Sequence, residues 1–234
     1  MTDTSSARAQ ILARIRSANQ AIFDTPTSDN PDAAWQALPR SYLREGSLQQ
    51  EGRLRLLEER LIDYGAQVFH ATLDELPNAI KRILGARRKN KILLPAGIPP
   101  SWLPLTVKFQ EDDQLDAFEL DTWEGVLTSA TVAIATTGTI VLQNVPGQGR
   151  RALTLVPDYH LCVVFAEQVV ETVPEAFARM ATTATQSTTF ISGPSATADI
   201  EMTRIQGVHG PRFLDVILVG QLSFPQSKGA NDRP

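Results

Sequence analysis

Between Ser47 and Pro95 the sequence twice sets a helical pattern before a short apolar run. Leu54, Leu57, Leu61 and Tyr64 fall on one stripe of a helix spanning Ser47 to Tyr64, with Glu51/Arg55 and Arg55/Glu59 spaced as i,i+4 pairs. Gly65 supplies a stop. A short strand, Gln67 to His70, follows; then come a second helix, Leu73 to Gly85, and a buried strand, Lys91 to Pro95. Helices that alternate with short apolar strands act as crossovers between parallel neighbours. The pattern therefore predicts an α/β fold with a mostly parallel sheet.

The rest of the chain is read onto that frame. Ser5 to Ile22 places Ile11, Ile15, Ala18 and Ile22 at helical spacing, which predicts an amphipathic N-terminal helix docked on the body. Asp24 to Gly46 carries Pro26, Pro31 and Pro39 and reads as an extended connector pinned by Trp35, Leu38, Tyr42 and Leu43. This gives an N-terminal helix and connector over 1–46, an α/β domain over 47–222 and a flexible tail over 223–234. Within the domain, Asp112 to Asp121 reads as a solvated acidic surface and Thr122 to Ala130 as a short helix. Thr131 to Ala135 and Ile140 to Leu142 read as strands flanking a Thr-Thr-Gly-Thr turn. Asn144 to Arg151 reads as a flexible loop whose Arg150 and Arg151 would clamp a carboxylate. Leu153 to Phe165 is a further apolar stretch with a turn at Pro157-Asp158, Val173 to Met180 a helix, and Leu214 to Val219 the last strand.

Composition removes several classes of function. A net charge of −4 over 234 residues provides no global basic field for nucleic acid. The one dense basic cluster, Lys81, Arg82, Arg87, Arg88, Lys89 and Lys91, reads as a solvated helix C-terminus favoured by the dipole. Cys162 is the single cysteine and sits in an apolar run, so it reads as a buried, inert thiol. One cysteine allows neither an internal disulfide nor a cysteine-ligated iron–sulfur cluster within this chain. No apolar run approaches the roughly 20 residues a membrane span needs, and Met-Thr-Asp-Thr-Ser-Ser is no signal peptide, so a cytoplasmic location is expected. His70, His160 and His209 do not share a metal-ligand spacing, so no metal is expected.

The densest polar chemistry lies between Thr188 and Pro211. A β-branched run ends in Ser192-Gly193-Pro194-Ser195, and Thr197, Asp199 and Glu201 follow. This reads as a strand-to-helix crossover, a turn type that lies at the carboxyl ends of strands, where ligands bind. Ser195 or Thr197 would cap the helix, with Asp199 and Glu201 in its first turn, where they would repel a phosphate. A capped helix start and a ligand loop are equally open readings. His209, between Gly207 and Gly210, is the histidine suited to acid–base work; His70 and His160 read as structural. Thr136, Thr137, Gly138 and Thr139 form either an oxyanion-binding turn or a plain polar one. Together these loops predict a composite cleft with catalytic residues His209, Asp199 and Glu201. Its binding residues are Thr136 to Thr139, Ser192 to Ser195, Thr197, Gly207 and Gly210.

The blocks Ala133 to Leu142, Leu155 to His160, Ser192 to Glu201 and Gly207 to Pro211 resemble, in order and spacing, the lactate utilization protein C family (the LUD domain). That family carries Glu where this chain has Thr136. The resemblance covers roughly Ser47 to Val219. It implies a fold like that of the glucosamine-6-phosphate isomerase, ribose-5-phosphate isomerase and CoA-transferase group, a doubly wound, mostly parallel α/β sheet. It also implies an accessory or ligand-binding subunit of an iron–sulfur-containing system that oxidises L-lactate to pyruvate. The clusters would then belong to partner subunits, and this chain would hold a small-molecule ligand and no cofactor of its own. A stand-alone isomerase- or transferase-like enzyme and a metabolite-sensing module stay open beside it. Thr136 weighs against the enzyme, because CoA-transferase chemistry needs a carboxylate nucleophile.

Overall fold

The structure, a computed structural model, describes residues 4–22, 30–198, 204–206 and 210–220. The chain divides into two units, Met1–Tyr42 and Leu43–Pro234. The first holds α1 (Thr4–Ile22) and α2 (Pro31–Ala37). The second helix lies where the sequence reads as an extended connector. Pro31 sits at its first turn, where a missing N–H costs nothing, and the Asn30 side chain accepts from the Asp32 and Ala33 amides at 3.0 and 3.2 Å. Here proline starts a helix instead of excluding one.

The second unit contains α3 (Gln50–Asp63), β1 (Gln67–Ala71), α4 (Leu76–Ala86), β2 (Lys91–Leu94), β3 (Lys108–Glu111), α5 (Ala117–Asp121) and β4 (Gly125–Ser129). It continues with β5 (Val132–Ile134), β6 (Thr139–Gln143), β7 (Tyr159–Phe165), β8 (Val169–Val170), α6 (Val173–Met180), β9 (Thr188–Ile191), β10 (Ala196–Ala198), β11 (Arg204–Gln206) and β12 (Phe213–Val219). Six strands form a parallel sheet in the order β1-β12-β7-β4-β2-β3. The expected α/β class and parallel pairing are present, and both faces are covered. On one face Leu54, Leu57 and Leu61 of α3 meet Cys162, Val164, Val216 and Leu218. On the other, Leu76, Ile80, Ile83 and Leu84 of α4 meet Leu161, Val163 and Ile217. Burial on both sides is why β7 and β12 read as continuous apolar runs.

A second sheet, β8-β5-β6-β9, packs its Ala133 and Ile140 into the α3 face. It is antiparallel except for the β5–β8 pair. The sequence suggests one sheet, and local pattern does not tell which sheet a strand joins.

Other readings change as well. Residues 125–129 form β4, not a helix; Val126 and Leu127 are fully buried between β2 and β7. The helical turn is upstream, in α5, fixed by an Asp116/Glu119 capping box. Among the described residues no helix follows Ser195: β10 pairs with β11 antiparallel. Asp112 is not solvated, because its carboxylate meets Arg150 Nε at 2.6 Å and Nη2 at 2.9 Å with only 5% of the side chain exposed. Arg150 therefore clamps a carboxylate of its own chain. The loop after β6 is pinned: Gly147 N–H donates to Ala96 O at 2.7 Å, and Gln148 Oε1 accepts from Gln143 N and Thr131 Oγ1. The final residues, 221–234, lie outside the described residues.

Candidate functional site

The C-terminus of α3 organises the site. Gly65, at φ 91°, ends the helix; its N–H donates to Ile62 O at 2.8 Å, and the Ala66 N–H to Leu61 O at 3.0 Å, which is a Schellman closure. Against this rigid end pack two of the loops singled out in the sequence. A Cβ on Gly138 would lie 2.6 Å from Arg60 Cβ, and one on Gly193 would lie 2.6 Å from Tyr64 Cβ. Both glycines have positive φ, 58° and 80°, so each is required twice, by backbone conformation and by close approach.

The loops also bond to each other. Ser192 Oγ lies 2.8 Å from Thr139 Oγ1, which lies 2.7 Å from Thr137 Oγ1. The Thr136 N–H donates to Glu171 O at 3.1 Å. The third segment joins through Ser195, whose N–H donates to Pro211 O at 2.8 Å, and Gly210 lies beside Ser195. Thr137, Thr139, Ser192, Ser195 and Gly210 thus come together. Thr197 is placed only by its backbone, opposite Ile205 of β11. Asp199, Glu201, Gly207 and His209 lie outside the described residues.

Beside this junction is a cavity of about 260 Å³. Ser192, Gly193, Pro194 and Ser195 form one wall, Phe190, Ile191 and Leu214 apolar surface, and Arg151, Thr154 and His160 the polar part. The Thr136–Thr139 turn lies behind Ser192 and is not part of the lining. The cavity also corrects the expected end of the sheet. His160 and Leu214 are paired near the starts of β7 and β12, so the floor lies at the amino ends of the parallel strands. The Ser192–Ser195 loop does follow the carboxyl end of a strand, but that strand is β9 of the second sheet.

His160 is the residue that the sequence reading passed over. It is 1% exposed, and its Nε2 lies 2.8 Å from Thr128 Oγ1, which lies 3.6 Å from Cys162 Sγ. Burial, and then the Arg151 charge, push its pKa down to about 3, so the ring is neutral. The signal was present in the run Tyr159-His160-Leu161-Cys162, where a polar residue stands at a core-facing strand position. Arg151 donates through Nη1 to the Thr154 carbonyl and hydroxyl at 3.0 and 3.1 Å, which orients its guanidinium at the cavity edge. A cation, a neutral imidazole and three hydroxyls, beside a smaller apolar surface, suit binding of a small polar anion.

Among the described residues no group of three or more His, Cys, Asp and Glu is placed to hold a metal ion. Cys162 is fully buried, and burial pushes its thiol up to about 12. Among the described residues no helix is long and apolar enough to cross a membrane.

Comparison with known proteins gives consistent relatives. The family model described as the LUD domain matches residues 110–219. The lactate utilization protein C of Deinococcus radiodurans is 45% identical over 188 residues, covering 79% of this chain and 87% of that protein. An uncharacterized protein of Neisseria meningitidis is 25% identical over 230 residues, 92% of this chain and 94% of its own. Among solved structures, a DUF162 family protein from Deinococcus radiodurans superposes with a TM-score of 0.65 at 39% identity, over 74% of this chain and all of that one.

Proposed function

The chain belongs to the LUD domain family of lactate utilization proteins, and from that premise we propose that it serves lactate utilization as an accessory, ligand-binding subunit of an iron–sulfur-containing system that oxidises L-lactate to pyruvate. The observation that carries this reading is the 45% identity to a lactate utilization protein C across 87% of that protein's length. The chain's own residues support a subunit without clusters. Its single cysteine is sealed in the core with a raised thiol pKa, so it does not fit as a cluster ligand. Redox centres then reside on partner subunits, and the cavity at Arg151 and His160 is the ligand site of this one.

The test is capture of the tagged chain from its own cell extract, followed by L-lactate-dependent dye reduction. Co-purifying iron–sulfur proteins with lactate-dependent reduction are expected. A captured chain with no such partners and no lactate activity refutes the subunit reading. Turnover of a sugar phosphate or CoA ester by the isolated chain would favour the stand-alone enzyme.

A further inference from the structure

We propose that a second cavity, at the carboxyl ends of the parallel strands, binds a flat heteroaromatic ring through two adjacent N–H donors, the 2-amino-4-oxopyrimidine edge shared by guanine and pterin, with the Asp74 carboxylate as acceptor. This cavity, about 580 Å³, falls within the roughly 300–1,000 Å³ typical of small-molecule sites. It shares no lining residue with the cavity at Arg151 and His160.

Its place in the sheet points to a ligand. β1 ends at Ala71 and β7 at Phe165, and both run parallel to β12. Leu73, Asp74 and Pro77 come from the turn after β1 and the start of α4. Pro99 and Trp102 come from the loop after β2, and Phe165 is the last residue of β7. In open α/β sheets, ligands bind outside the carboxyl ends of the strands. The cavity at Arg151 lies at the opposite end.

The walls select a flat ring. Trp102 and Phe165 pack together with ring centroids 5.6 Å apart and planes tilted by 47°, which fixes an aromatic floor. Pro77 and Pro99 add rigid rings whose nitrogens carry no hydrogen. Leu73 lines the cavity although it is 55% exposed, so apolar surface is open there to an incoming group. Aromatic surfaces of this kind stack against base-like rings.

The polar groups select the edge of that ring. The described lining carries no Lys, Arg or His, so nothing there answers a phosphate or a carboxylate. Its one acidic group is Asp74, which when ionised only accepts hydrogen bonds. The donors of the turn itself go to Glu75, which accepts from Thr72 N and Oγ1 at 3.0 and 2.9 Å. Among the described residues no hydrogen bond or ion pair takes up the Asp74 carboxylate. Two carboxylate oxygens match two parallel N–H donors. Guanine and pterin offer a ring N–H and an amino group side by side. Adenine places a ring lone pair where one of those hydrogens would be, and the carboxylate repels it.

Calorimetric titration of the full-length chain with guanosine, pterin, inosine, adenosine and guanosine monophosphate tests this. Guanosine and pterin should bind, and the tighter of the two identifies the source of the ring. Inosine lacks the amino group and should bind about tenfold more weakly than guanosine, the cost of one hydrogen bond to a charged acceptor. Adenosine should bind more weakly than inosine. The added phosphate of guanosine monophosphate should bring no gain. Asp74→Asn changes an exposed position and should leave the urea midpoint in place. It replaces two acceptors by one acceptor and one donor. The variant should weaken guanosine about tenfold or more and tighten adenosine, whose amino group and ring nitrogen match the amide. A merely structural Asp74 would not reverse the preference. Four results would each overturn the assignment: no binding of either guanosine or pterin at millimolar concentration, equal binding of guanosine and adenosine, tighter binding of the monophosphate, or an unchanged purine preference in Asp74→Asn.

Discussion

Replacing Gly193 by Ala tests whether the Ser192–Ser195 loop is truly seated on the end of α3. Two costs add. At φ 80° an L-residue pays about 1–2 kcal/mol for the left-handed conformation. The new Cβ would also stand 2.6 Å from Tyr64 Cβ and 3.0 Å from Tyr64 O. Neither neighbour is the free end of a side chain. Tyr64 caps α3, and the Gly65 and Ala66 amides lock the turn beyond it. Overpacking of this kind costs about 1–3 kcal/mol, so the total is about 2–5 kcal/mol. For a chain of this length that lowers the melting temperature by roughly 5–20 °C. Gly85 is the control: it lies within α4 with open space around its Cβ position, so Gly85→Ala should raise stability by about 0.5–1 kcal/mol. Urea and thermal unfolding followed by circular dichroism measure both. If Gly193→Ala unfolds at the wild-type midpoint while Gly85→Ala moves upward, the loop is not held against α3 and the wall of the cavity is wrongly built.

Further predictions concern buried groups around the sheet. Asp215 is fully buried and accepts from Arg87 and from Tyr159 OH, so Asp215→Ala strands a cation and a phenol and should cost about 3–5 kcal/mol in urea unfolding. Thr172→Ala removes the cap and capping box of α6 and should cost about 1 kcal/mol; an unchanged midpoint would show that helix held by packing alone. Because the folded pKa of His160 is depressed to about 3, the unfolded chain takes up a proton below about pH 6.5 that the native ring refuses. Stability should therefore fall through that window, and the slope should be shallower by up to one proton in His160→Gln. A thiol reagent should leave native Cys162 unmodified and label it fully in denaturant; rapid native labelling would contradict its burial.

Local pattern carried most of the elements because each depends on neighbours in sequence. The Leu54, Leu57 and Leu61 stripe, the Gly65 stop, the apolar runs of β7 and β12, and the parallel α/β class were all legible. The errors arose where contacts distant in sequence decide. Val126 and Leu127 suit a helix or a strand, and pairing with β2 and β7 makes them a strand. Asp112 and Arg150 are 38 residues apart, and their ion pair turns a supposed ligand clamp into a structural one. The glycines, serines and threonines of the site could be named from the sequence, since such residues cluster at tight, polar turns. Their meeting at the C-terminal end of α3, and the arrival of His160 and Arg151 at the same cavity, needed the fold. The chain by itself determined which segments are helices, strands and polar turns, because backbone preference and the period of hydrophobic residues act over a few residues. Only the tertiary structure decided which of those turns face one another and which histidine is sealed and neutral, because burial and charge depend on neighbours that sequence spacing does not reveal.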